Sequence, residues 1–197
     1  MSEIADPMDQ WVYRSSEQAD SRLRLICLPY AGGGAAVYRL WPEVMPPGID
    51  VCRVQLPGRE TRLREKPYDR LTRLLDALLE VVSPLLDIPF VIFGHSMGAL
   101  TGFELARAIR RETGLSPEHL FASGWRAPQI GLGTALHGLP DPAFVERLQA
   151  RFSGIPSGVL EDPELLELML PILRADLAIC ETYQFADEAP LDLSLIH

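Results

Sequence analysis

The sequence is poor in cysteine, in positive charge and in long apolar runs, and each shortage removes a class of function. Its three cysteines, Cys27, Cys52 and Cys180, are odd in number, widely spaced and without any Cys-x-x-Cys pair. Neither a disulfide framework nor a zinc or other metal site is expected, and the three read as reduced core residues of a cytoplasmic protein. A net charge of −9 leaves no surplus of Lys and Arg for a phosphate backbone, so nucleic acid is set aside. Two local clusters, Arg59, Arg62, Arg64 and Lys66, and Arg107, Arg110 and Arg111, read as solvated faces, with docking of an acidic partner as the sharper alternative. The first twenty residues are polar and acidic and no segment is apolar over a bilayer's thickness, so no export and no membrane anchoring are expected.

What is present suits one folded unit. A chain of 197 residues, 47% hydrophobic and 23% charged, is long enough for one buried core and short for two. Leu23 to Leu28 is an apolar run that opens into Pro29-Tyr30-Ala31-Gly32-Gly33-Gly34, a buried strand followed by a glycine-rich loop. A helix is predicted from Ala36 to Met45, then a strand over Asp50 to Gln55. Leu71, Leu74, Leu75, Leu78, Leu79 and Val82 share one helical face between Pro67 and Leu86, with Pro67 in the first turn. Phe90 to Phe93 lacks polar alternation and reads as a central strand buried on both faces. A helix through Glu112 capped by Gly114 follows, then a strand over Leu120 to Gly124. From Leu139 to Tyr183 the chain reads as helical pieces broken by Pro140, Pro142, Pro156, Pro163 and Pro171. Strands alternating with helices imply an α/β architecture with a mostly parallel sheet and helices on both faces.

The chemistry centres on Gly94-His95-Ser96-Met97-Gly98, a Gly-x-Ser-x-Gly between a buried strand and a helix. On that bend a serine takes strained backbone angles, and the flanking glycines are needed where a side chain would collide with neighbouring elements. Ser96 is therefore the candidate nucleophile. The helix behind it points its first amides at the same spot, which makes the Met97 N–H a candidate oxyanion donor. The loop after the first strand supplies a second, Ala31 by preference and Gly32 next. His95 adjoins the nucleophile, but successive side chains there point apart; it reads as structural or as part of the pocket lining. His119 and His137 read as surface or loop residues.

These segments resemble the type II thioesterases of polyketide and nonribosomal peptide synthesis. The resemblance rests on Leu28 to Gly34, on Gln55-Leu56-Pro57-Gly58-Arg59-Glu60-Thr61-Arg62, on Gly94 to Ala99, on Ser123-Gly124-Trp125-Arg126-Ala127-Pro128, and on Leu173-Arg174-Ala175-Asp176. It implies an α/β-hydrolase fold with a helical lid and a thioesterase that removes aberrant acyl groups from the phosphopantetheine of acyl or peptidyl carrier proteins. The chain would need no cofactor of its own, since the partner carries the phosphopantetheine. The expected division is an N-terminal tail over 1–20, a core over 21–138, a lid over 139–183 and the start of the next core strand over 184–197. Tyr30, Gly32, Leu166, Met169 and Leu173 are the expected substrate-binding residues. The resemblance further implies an Asp after the next strand and a His well beyond it. Asp187, Glu188 and Asp192 precede that strand and His197 comes too early, so the triad Asp and His, the closing strands and the last helix are expected to be absent from this chain. Leu193 to His197 also matches the translated end of a common sequencing adapter. Two alternatives stay open: an esterase or acyltransferase acting on small molecules, and a non-catalytic module that binds carrier proteins.

Overall fold

The computed structural model describes residues 10–14, 20–152, 158 and 162–196. Its strands are β1 (Val12–Arg14), β2 (Leu23–Leu28), β3 (Ile49–Val54), β4 (Phe90–His95), β5 (His119–Ser123) and β6 (Ser194–Ile196). They form one sheet in the order β1-β3-β2-β4-β5-β6, parallel throughout except for β1, which pairs antiparallel with β3. β4 lies inside the sheet, and its register sets Leu28 beside Gly94 and His95 beside Ser123. The C-terminal ends of three strands thus meet at one edge, the edge where open parallel sheets place their ligands.

The helices are α1 (Trp41–Val44), α2 (Leu71–Val82), α3 (Met97–Thr113), α4 (Asp141–Phe152) and α5 (Pro163–Glu181). The predicted α2 stripe is buried at Leu71, Leu74, Leu75, Leu78 and Val82, which pack in the main core with Ile26, Ile92, Leu100, Leu105 and Ile109. α3 ends at Gly114 with φ 74°, a left-handed cap open to glycine at no steric cost.

Several expectations need correction. The helix predicted over Ala36 to Met45 is a 3₁₀ turn at Ala35–Tyr38 followed by the single-turn α1. Pro42 has no N–H to donate back to Tyr38, so the ladder cannot run through. Tyr38 is instead anchored by its hydroxyl, which donates to the Leu28 carbonyl (2.8 Å). Pro67 stands ahead of α2 rather than in its first turn. Pro171 does not break α5 but lies within it; the carbonyl deprived of a partner is that of the exposed Glu167, where water can serve. Pro163 opens that helix behind Asp162, whose carboxylate accepts from the amides of Glu164 and Leu165 (3.0 and 3.1 Å). Pro156 lies outside the described residues. Within the segment read as a tail, β1 adds an edge strand and Trp11 enters the core, a three-residue element too short to show a period.

Neither basic cluster is wholly a solvated face: Arg64 and Lys66 are exposed, but the other members are engaged by neighbouring groups. Arg59 and Arg62 are buried, the latter stacked over the Trp11 ring and paired with Glu65. Glu188 draws Arg107, Arg110 and Arg111 together. Both near carboxylates, Glu65 and Glu104, and distant ones, Asp176 and Glu188, neutralise what looked like unpaired charge.

Candidate active site

Between β4 and α3 the chain reverses at Ser96, which has φ 53° and ψ −118°. That left-handed angle is uncommon outside glycine and is held here by the elements on either side. The Ser96 N–H donates to the Ser123 carbonyl at the end of β5 (2.8 Å), and the Ser96 carbonyl accepts from Ala99 (2.9 Å) as α3 begins. A Cβ on Gly94 would overlap the Gly98 carbonyl, and one on Gly98 would overlap the Leu28 carbonyl at the end of β2. Both glycines are therefore demanded by backbone packing. The Met97 side chain is buried, and its N–H is a first-turn amide with no acceptor within the helix. Helix-end partial charge adds to what that amide offers an anion.

The loop opposite, after β2, is a tight turn closed by the Gly33 N–H donating to the Tyr30 carbonyl (2.9 Å). Gly32 has φ 80°, and a Cβ there would also lie 2.9 Å from Leu173 Cδ2, so only glycine fits. Its N–H donates to Asp176 Oδ2 (2.7 Å). Gly32 is thereby occupied as a donor, while Ala31, the residue before it, lines the same cavity as Ser96. Asp176 comes from α5 and is itself gripped by both terminal nitrogens of Arg59 (2.7 and 2.8 Å). Arg59 also donates to the Gly33 carbonyl (3.1 Å), Gln55 accepts from the Ala35 N–H (2.8 Å), and Glu60 accepts from Ala36. The Gln55 to Arg62 segment thus serves as a cradle for the glycine-rich loop. Sequence reasoning gave these polar residues no role. One signal was available for Asp176, a carboxylate on an apolar helical stripe between Leu173 and Ile179.

Ser96, Ala31, Tyr30 and His95 line a cavity of about 450 Å³ whose far wall is Trp125, Leu132, Leu148, Leu173, Leu177 and Cys180. Of the expected substrate-binding residues, Tyr30 and Leu173 face this space. Leu166, Met169 and Gly32 do not line it. The lining stripe of α5 is Leu173, Leu177 and Cys180, one to two turns downstream of the expected one. Residues 165–173 are apolar nearly all round, so sequence could not say which side of the helix faces inward. Leu165 and Leu168 turn to solvent, while Met169 packs beside Leu136, Phe144 and Leu148.

The side chain of His95 turns aside, as its neighbour's geometry requires. Its Nδ1 lies 3.0 Å from Ser123 Oγ, and its ring meets Tyr30 edge-on at 6.0 Å. His137 lies away from the cavity with Nδ1 2.6 Å from Glu181, and His119 begins β5 at the opposite end of the strand. Among the described residues, no side chain hydrogen-bonds the Ser96 hydroxyl. Glu188 sits with the arginines at the far end of α3, and His197 lies outside the described residues. Burial, with the Asp176 and Glu181 carboxylates adding to it, pushes the Cys180 thiol well above its ordinary value, so it lines the cavity as a small apolar group.

A protein-family model described as thioesterase domain matches residues 23–197. The gramicidin S biosynthesis protein GrsT of Aneurinibacillus migulanus is 42% identical over 186 residues, covering 94% of this chain and 72% of that protein. Among solved structures, the RedJ thioesterase from the prodiginine biosynthetic pathway in Streptomyces coelicolor superposes with a TM-score of 0.82 at 40% identity, over 90% of this chain and 70% of its own. ClbQ from the colibactin nonribosomal peptide/polyketide pathway gives 0.81 at 33% identity, over 89% and 74%.

Proposed function

We propose that this chain, which belongs to the thioesterase family in its type II form from nonribosomal peptide and polyketide pathways, cleaves acyl thioesters through Ser96. The acyl group would arrive on the phosphopantetheine of an acyl or peptidyl carrier protein in the cytoplasm, and the chain would need no cofactor of its own. One observation carries this reading: a serine held at φ 53° on the lip of an apolar cavity, between a central parallel strand and a helix N-terminus. A binding module has no need of that strain.

In this mechanism Ser96 Oγ attacks the thioester carbon, and the Met97 and Ala31 amides receive the developing oxyanion. The C–S bond then breaks, the pantetheine sulfur leaves and takes up a proton, and water later releases the acid from the acyl-serine. The apolar wall formed by Leu173, Leu177 and Leu148 would hold the acyl chain while α4 and α5 form a lid over it. Attack also needs a base for the serine proton.

The test is to mix the protein with a carrier protein bearing a short acyl-phosphopantetheine and follow intact mass and free acid. An acyl adduct on Ser96, lost in Ser96→Ala, is expected, with release from the carrier much faster than from a simple aryl ester. Faster turnover of the aryl ester would indicate the small-molecule esterase instead. Tight carrier binding with no adduct would indicate the binding module.

A further inference from the structure

The ion pair between Arg59 and Asp176 lies outside the reacting groups, yet it is the most buried charge pair beside them: the two side chains are 4% and 1% exposed. Two buried charges repay their desolvation only with close geometry and further hydrogen bonds, and a hydrophobic pair of similar volume would often be as stable. Apart from Arg59 Nε, which donates to the Pro57 carbonyl (3.3 Å), the further bonds go to one place. Asp176 Oδ2 accepts from the Gly32 N–H, and Arg59 Nη1 donates to the Gly33 carbonyl. The pair therefore holds the two residues that follow Ala31, one by its donor and one by its acceptor. With the turn closed from Tyr30 to Gly33, the peptide plane that carries the Ala31 N–H has little freedom left. Asp176 is also one turn from Leu173 and adjacent to Leu177, so the helix bearing the cavity wall and the loop bearing the oxyanion donor are joined at this point.

We propose that Arg59 and Asp176 are positioning residues that aim the Ala31 amide at the oxyanion and tie that aim to the seating of α5. The inference rests on the serine-hydrolase reading above. A group acting this way contributes in the transition state more than in the bound ground state, so its loss lowers kcat and leaves KM nearly alone. Removing an oxyanion donor outright costs about 10²–10³ in rate, and tilting one should cost roughly tenfold to a hundredfold.

The experiment uses the protein acting on acyl-loaded carrier protein. Asp176→Asn keeps an acceptor for Gly32 but breaks the ion pair; Arg59→Met with Asp176→Leu removes both charges, so no unpaired charge is buried, and its folding is checked by thermal unfolding. In the double variant, amide exchange at Gly32 should accelerate, kcat should fall roughly tenfold to a hundredfold, and KM should stay within about twofold. The affinity of an alkylboronic acid, whose tetrahedral adduct with the serine oxygen fills the oxyanion position, should fall in step with kcat. Faster Gly32 exchange with unchanged kcat and boronate affinity overturns the positioning role alone, as does a loss confined to KM. A parent protein that never acylates Ser96 overturns the hydrolase reading and this inference together.

Discussion

The elbow at Ser96 and the helical wall that faces it are built on different principles. At the elbow, position is set by exclusion: the Gly94 and Gly98 hydrogens lie against carbonyls, and no side chain larger than hydrogen can be inserted. The wall is set by accumulation. Leu136, Phe144, Leu148, Leu173 and Leu177 form a small cluster of their own, separate from the main core and fastened by part-exposed links such as Arg174 with Asp141 and His137 with Glu181. Reacting atoms need placement to within a few tenths of an ångström, whereas an acyl chain needs only apolar volume, and close-packed backbone supplies the first while adaptable side chains supply the second.

The contrast can be broken most sharply with Gly98→Ala. The new methyl would require β2 and α3 to separate, so a loss of more than about 4 kcal/mol in denaturant unfolding is expected, and failure to fold would be consistent with it. A loss below about 1 kcal/mol would show that the elbow yields as readily as the wall. Leu177→Ala, on the wall, should cost roughly 2–3 kcal/mol, toward the lower end for a buried leucine because the side chain already borders a cavity. It should also shift acyl preference toward longer chains at little expense in the rate of Ser96 acylation, read by adduct formation across a chain-length series. The smallest effect runs the other way. Ser96→Gly relieves the φ 53° strain and should stabilise the protein by about 1 kcal/mol while abolishing the adduct; destabilisation would mean the angle is not a source of strain.

Much of this was legible before any coordinates. Leu23–Leu28 is the strand that its apolar run announces, the leucine stripe of α2 is buried as its 3.6-residue period implies, and Gly114 caps α3 in the left-handed conformation its residue type favours. These are local rules, and local sequence satisfies them. The wall was misread by one to two turns because residues 165–173 are apolar on nearly every side, leaving periodicity nothing to discriminate. Arg59, and the cluster of Arg107, Arg110 and Arg111, were misread for a related reason. Net charge along a short segment says nothing of a carboxylate eighty or a hundred residues away, such as Glu188 or Asp176.

By itself, the sequence determined the alternation of strands and helices, the position of the bend that presents Ser96, and the need for glycine on either side of it. Each of these follows from the backbone's own steric and hydrogen-bonding preferences over a few residues. Only the tertiary structure decided which face of α5 meets the cavity at Ser96, and that Arg59 and Asp176 grip the glycine-rich loop. Those outcomes depend on contacts between segments far apart in the chain, where burial and charge pairing act on geometry that no local pattern encodes.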